Sequence, residues 1–287
     1  LWETTLSHAP SMVPQLLELF PNLVAIMEKS FDHLLVAMKI IEGYILLGGS
    51  DFLHLHASGV AKIFESIVGN VNQKGLLSTL PIIEILVQCF PRDAPPLLGG
   101  VLQKFVVYFL SGGDESDPSA TSIKASAGAI LARVLVQNSN YFAHLITESS
   151  LSVMLQQAGI NLDQNLLLCL IDAWLDKVDN VTVVRRKAYA LALSILLTSR
   201  EPHILEKLDQ IINVCTSTLV GDIDQNGSED SSFDSSMHSL ENHEALQSGA
   251  AVNKDFRKRQ VKSSDPIKNM SLAHVMKENL QACASLH

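Results

Sequence analysis

From residue 31 to residue 220 the apolar side chains recur at steps of three and four, in one stripe after another. Phe31, Leu34, Met38, Ile41 and Ile45 form one stripe; Leu76, Leu80, Ile83, Val87 and Phe90 form a second. Val181, Val184, Ala188, Leu191 and Ile195 repeat the spacing, as do Ile204, Leu208, Ile211, Cys215 and Leu219. This period lays each set along one face of an α-helix, and a helix with one apolar face must bury it against a neighbour. No run of alternating β-branched residues bounded by turns competes with helix anywhere in the chain.

The breaks between stripes carry helix punctuation. Pro14, Pro95-Pro96, Pro118 and Pro202 stand at helix starts, where the missing N–H costs nothing, and Asp117 is placed to cap the helix behind Pro118. Gly48-Gly49, Gly112-Gly113 and Gly159 follow helices, where a left-handed residue ends the ladder. The spacing predicts helices over 14–27, 31–47, 51–69, 75–90, 95–111, 118–137, 140–157, 163–177, 182–199 and 202–220, with 140–157 breaking between Thr147 and Ser152. Connections at 48–50, 138–139 and 178–181 are short, and those at 70–74, 112–117 and 158–162 are longer. Pairing across the short ones gives hairpins opening near residues 31, 76, 118, 163 and 202. A helical hairpin repeated roughly every 40–47 residues is the period of HEAT and armadillo repeats. The expected fold is an all-α solenoid of about five HEAT-type hairpins over residues 1–220, wound as a right-handed superhelix.

Composition agrees: 47% of residues are hydrophobic and only 6% aromatic, so Leu, Ile, Val and Ala must fill the core. The apolar run Leu34–Leu47 is interrupted by Lys39 and Glu42, and no run reaches the roughly 18–20 residues of a bilayer span, so no membrane insertion is expected. A net charge of −9 argues against nucleic acid as a general partner. Cys89, Cys169, Cys215 and Cys283 lie far apart in apolar surroundings, as expected of buried, reduced thiols in the cytosol or nucleus. The chain opens on Leu1 without a secretory signal and reads as a fragment of a longer protein; its first repeat is then expected to expose an apolar end near Trp2 and Leu6 and to associate through it.

Past Val220 the character changes. Residues 221–253 hold seven acids and no Lys or Arg, and a basic run follows at Lys254, Arg257, Lys258, Arg259 and Lys262. Residues 221–262 are expected to form a disordered insertion, acidic and then basic. Asp265-Pro266 then opens a C-terminal amphipathic helix within 263–287, through Leu272, Met276, Leu280 and Cys283, expected to pack on the last repeat.

Motifs for chemistry fail on their own geometry. Asp222, Asp224, Asn226 and Gly227 match the first half of an EF-hand loop, but the twelfth position, where a bidentate carboxylate belongs, is Phe233. His54 and His56, two apart on a helix, point away from each other and have no cysteine or carboxylate cluster beside them. Gly112-Gly113 lacks the Lys-Ser/Thr of a phosphate-binding loop, and no nucleophile elbow is present. No metal, no cofactor and no catalytic activity are expected. The candidate partner contacts are basic: Arg185, Arg186 and Lys187 face away from the Val184/Ala188/Leu191 stripe, within reach of Asp176 or Asp179, and Arg257, Lys258 and Arg259 resemble a nuclear localisation signal.

Asp179, Val181, Val184, Arg185 and Ala188 follow the HEAT pattern of a turn Asp followed by Val-Arg and Ala at the opening of the second helix. The wider stretch Ala173–Leu193, together with Leu1–Leu6, Gln137–Phe142 and Asp265–Leu272, resembles the C-terminal region of the importin-β (karyopherin-β) nuclear transport receptors. That resemblance implies a receptor that carries folded protein cargo through nuclear pores, shuttles between cytoplasm and nucleus, and meets Ran-GTP mainly through N-terminal repeats. It also implies cargo contacts on inner helices (51–69, 95–111, 140–157 and 182–199 here) and nucleoporin FG repeats in grooves between outer helices. A HEAT scaffold that assembles a cytosolic or nuclear complex is the alternative.

Overall fold

A computed structural model describes residues 1–112, 116–160, 165–199, 201–225 and 253–286. Every regular element among them is helical: α1 (Trp2–His8), α2 (Pro14–Met27), α3 (Leu34–Ile67), α4 (Gln73–Cys89), α5 (Ala94–Leu97), α6 (Gly99–Leu110), α7 (Pro118–Gln137), α8 (Ser139–Thr147), α9 (Ser149–Gln157), α10 (Leu166–Lys177), α11 (Val183–Leu196), α12 (Leu208–Gln225), α13 (Asn253–Ser263), α14 (Pro266–Asn269) and α15 (Leu272–Leu286). The all-α solenoid is the fold. Asp117 caps α7 as its position before Pro118 dictates, accepting from Ser119 N at 2.9 Å, and Gly159 ends α9 with φ 71°.

The helices form two rows. The first half of α3 packs on α1 and α4, with Gly43 against Leu6 and Gly75 against Leu34. The same row continues through α7 to α11. The second half of α3 lies on α2, where Gly59 faces Phe20 and Val24, and runs on to α6, whose Lys104 donates to the carbonyls of Glu65 and Val68. Along α6 lie α8, α9 and α10.

That arrangement corrects the hairpin phase read from the loops. Helix 182–199 was expected beside 51–69, 95–111 and 140–157, yet α11 stands in the row of α4 and α7. Three helices, α8, α9 and α10, separate α7 from α11, because the stretch expected as 140–157 breaks at Glu148. The contact that places α11 is specific. Tyr189 Oη donates to Ala125 O at 2.9 Å and Trp174 Nε1 to Gly128 O at 3.0 Å, both into the flank of α7. Gly128 is what lets them in, since a Cβ there would sit 2.5 Å from both the Phe109 ring and Tyr189 Oη. Phe109, Phe142, Trp174 and Tyr189 close around this point with ring centroids 5.8–6.4 Å apart.

The break at 48–50 is sharper than a loop. Hydrogen bonding runs through α3, and the axis turns at Gly49 with φ 55° and ψ −143°, a conformation that a side chain makes costly. Past it, Phe52 stacks on Tyr44 at 5.1 Å and meets Phe20 edge-on at 4.8 Å. Tyr44 accepts from Trp2 Nε1 at 3.0 Å and donates to Leu16 O, which ties α1 and α2 to the bend. The apolar end expected near Trp2 and Leu6 is therefore closed at Leu6, which is fully buried under α3.

Helix 95–111 divides into α5 and α6, and the expected 202–220 becomes a 3₁₀ turn at Pro202–Lys207 followed by α12, which runs on to Gln225. Among the described residues one helix, α7, has the length and composition to cross a membrane; 67% of that stretch is buried in the fold, and it carries Arg133. The basic run expected in a disordered insertion is the helix α13, seated on α1 and α3. The acidic positions 226–252 lie outside the described residues, as does most of the EF-hand-like match, whose Asp222 and Asp224 fall within α12.

Candidate functional site

The C-terminal segment, α13 to α15, runs back along the first row from the α1/α3 end to α11 and α12. Its polar attachments join residues far apart in sequence. Asp265 caps α14, accepting from Ile267 N at 3.1 Å, and both its oxygens receive Arg133 of α7, at 2.7 and 2.9 Å. The two side chains are 3% and 5% exposed, so the pair is a fork-to-fork bond sealed from water. Two supports flank it: Gln88 Nε2 donates to Val261 O at 2.8 Å, and Asn279 Nδ2 to Ser194 Oγ at 3.2 Å. At the far end Glu42, interrupting an otherwise apolar stretch of α3, takes Lys254 and Lys258 at 2.7 Å each. Burial raises the Glu42 carboxyl, and the charges of Lys258 and Lys254 with their hydrogen bonds outweigh it, so the group stays below the ordinary carboxylate range.

The candidate partner contacts fall into two groups. Arg185 donates to Glu84 of α4 at 2.6 Å and to Ser126 of α7 at 3.0 Å, a bond that crosses three helices of the first row. Lys187 Nζ donates to Lys268 O of α14 at 2.8 Å, and Arg257 to Ala9 O beyond the end of α1. With Lys258, these residues hold elements together. Arg186 meets Asp179 at 3.4 Å on a surface where the aspartate side chain is 87% exposed, and Arg259 is exposed on α13. Of the six, Arg259 is exposed, and Arg186, 33% exposed, has only a long ion pair to a solvent-lying aspartate, so these two offer charge most readily. The sequence pointed to Asp179 as a partner for the trio but gave no hint of Glu84, a hundred residues away.

Among the described residues no three His, Cys, Asp or Glu side chains come together as a metal could require. His56 lies against Phe20 and Phe52, where burial lowers its pKa, and His54 is exposed. Burial pushes the Cys89 thiol up to about 11 and Cys215 up to about 12, against the activation that a nucleophilic cysteine needs.

Two rows of stacked helices, with basic residues bridging neighbouring helices and aromatic rings packed into glycine notches, define a helical-repeat solenoid. A family model described as "Importin-11-like, TPR repeats" matches residues 1–287, and the chain belongs to that family. Importin-11 of Homo sapiens and Importin-11 of Mus musculus are each 30% identical to it over 286 residues, 98% of this chain. The chain spans 28% of the length of those relatives. No solved structure matches. The family description calls the repeats TPR; in the first row α3, α4 and α7 start at residues 34, 73 and 118, close to the HEAT interval of about 40–47, and α11 follows only at residue 183.

Proposed function

We propose that this chain is the C-terminal part of a nuclear transport receptor that binds protein cargo and carries it through nuclear pores under the control of Ran in its GTP form. The observation that carries this reading is the family match over the whole chain, 1–287. The solenoid supports it physically: each repeat touches its neighbours, so a long surface can flex by small summed rotations and fit a folded cargo. On this reading Ran-GTP binds mainly through repeats outside this chain, FG nucleoporins meet apolar grooves between adjacent helices, and the protein shuttles between cytoplasm and nucleus. No catalysis and no cofactor enter. Arg186 and Arg259 are the proposed points of charge contact within these residues, with Arg185, Lys187, Arg257 and Lys258 serving first to position helices.

The test is capture of the full-length receptor on immobilised Ran, locked in the GTP form or loaded with GDP. Retention on the GTP form alone is expected. Equal retention on both forms, or none on either, overturns the proposal.

A further inference from the structure

The C-terminal segment has two halves that hold on by different means. In α14, α15 and the turn between them, Ile267, Leu272 and Cys283 are buried, and Met270, Val275, Met276 and Leu280 pack half-buried against the same core. Helix α13 has nothing comparable. Its buried side chain is Lys254, while its largest apolar residue, Phe256, is 55% exposed. What seats α13 is polar: Lys254 and Lys258, one turn apart, converge on Glu42, Lys254 also donates to Lys39 O at 3.1 Å, and near the pivot Gln88 Nε2 donates to Val261 O at 2.8 Å. Asn253 Nδ2 donates to His8 O at 2.7 Å and Arg257 to Ala9 O, at the carbonyl end of α1. Apolar burial, which makes most helix docking persist, is missing from this joint.

Losing a buried charge partner is costly only while the other charge stays buried. Helix α13 can escape that cost without unfolding anything else, because lifting it returns Glu42, Lys254 and Lys258 to water together and gives up, near the pivot, one neutral bond from Gln88 to Val261 O. The pivot is in place. Ser264 is exposed, and the next residue is Asp265, fixed in the fold by Arg133.

From this we infer that α13 is a latch: it swings as a unit about Ser264 while α14 and α15 stay seated, and opening uncovers Glu42 with the end of α1 and frees Lys254, Arg257 and Lys258. The inference concerns the fold and does not rest on the transport reading.

Hydrogen exchange followed by mass spectrometry tests it on the full chain. In Glu42→Gln, residues 254–263 are expected to exchange about tenfold faster, with 118–137 and 272–286 at wild-type rates. Lys258→Gln removes one of the two bonds, and about a threefold increase confined to 254–263 is expected. The charge swap Glu42→Lys with Lys254→Glu and Lys258→Glu is expected to restore most of the protection. Unchanged exchange at 254–263 in both single variants overturns the latch, as does acceleration of 272–286 equal to that of 254–263. Should Glu42→Gln lose protection throughout the chain, Lys258→Gln decides by the same criterion.

Discussion

Helix α7 carries two joints built on opposite principles. On one flank Gly128 and Ala125 admit Tyr189, Trp174 and Phe109, and adhesion comes from shape: rings pressed onto bare backbone, each polar atom meeting a carbonyl. On the other, Arg133 grips Asp265 with both side chains almost fully buried. The first joint is made of many small contacts and tolerates little change of volume. The second places almost all its specificity in one pair of side chains, and it determines where along the row the C-terminal segment lies. The body of the solenoid is therefore packed, and its last segment is registered.

The registered joint is the easier to break. Arg133→Met should lower stability by about 3–5 kcal/mol, because Asp265 stays buried without its partner. The double variant Arg133→Met with Asp265→Asn should recover more than half of that in urea unfolding, since asparagine keeps the cap on Ile267 while removing the charge. A double variant as unstable as the single one would mean that the joint works by shape after all.

The packed joint is tested at its narrowest point. Gly128→Ala should cost about 2–3 kcal/mol, since the added carbon stands 2.5 Å from both Phe109 and Tyr189, and both rings are buried. A thermal midpoint unchanged from the parent would show that α11 can slide away from α7, and that the two joints differ less than their geometry says. Gly49→Ala separates space from conformation. Nothing lies within 4 Å of the position, so a loss of about 1–2 kcal/mol there would come from the positive φ alone.

These joints also mark where sequence reasoning reached and where it stopped. Periodicity and punctuation located the helices because those signals are local: Asp117-Pro118 starts α7 and Gly159 ends α9. Phase was lost between residues 138 and 182, where a break at Glu148 yields an extra helix and the alternation of loop lengths no longer reports which row comes next. Helix α13 was hidden by composition, since eleven residues with almost no apolar periodicity carry no helical stripe and owe their seat to Glu42, more than two hundred residues earlier. In the sequence Glu42 is an interruption in an apolar run. Its role required knowing which lysines arrive over it. The site behaved likewise: the basic residues could be picked out, but their division into bridging and exposed members depends on Glu84, Ser126 and Lys268, none of them close in sequence.

That division supplies the smallest expected effect. Arg185 is 25% exposed, its partner Glu84 is 16% exposed, and it makes a second bond to Ser126, so Arg185→Ala should cost about 1–2 kcal/mol. Arg186 is the next residue, but its ion pair is long and its partner lies in solvent, so Arg186→Ala should stay within about 0.5 kcal/mol of the parent. Urea midpoints for the two variants measured side by side decide the matter. Equal losses would mean that both arginines serve the fold and that Arg186 has no charge to spare for a partner. A loss at Arg185 alone leaves Arg186 as a cation that the fold does not need, on the row that α4, α7 and α11 share, which is where a surface contact can be added or removed without disturbing the joints beneath it.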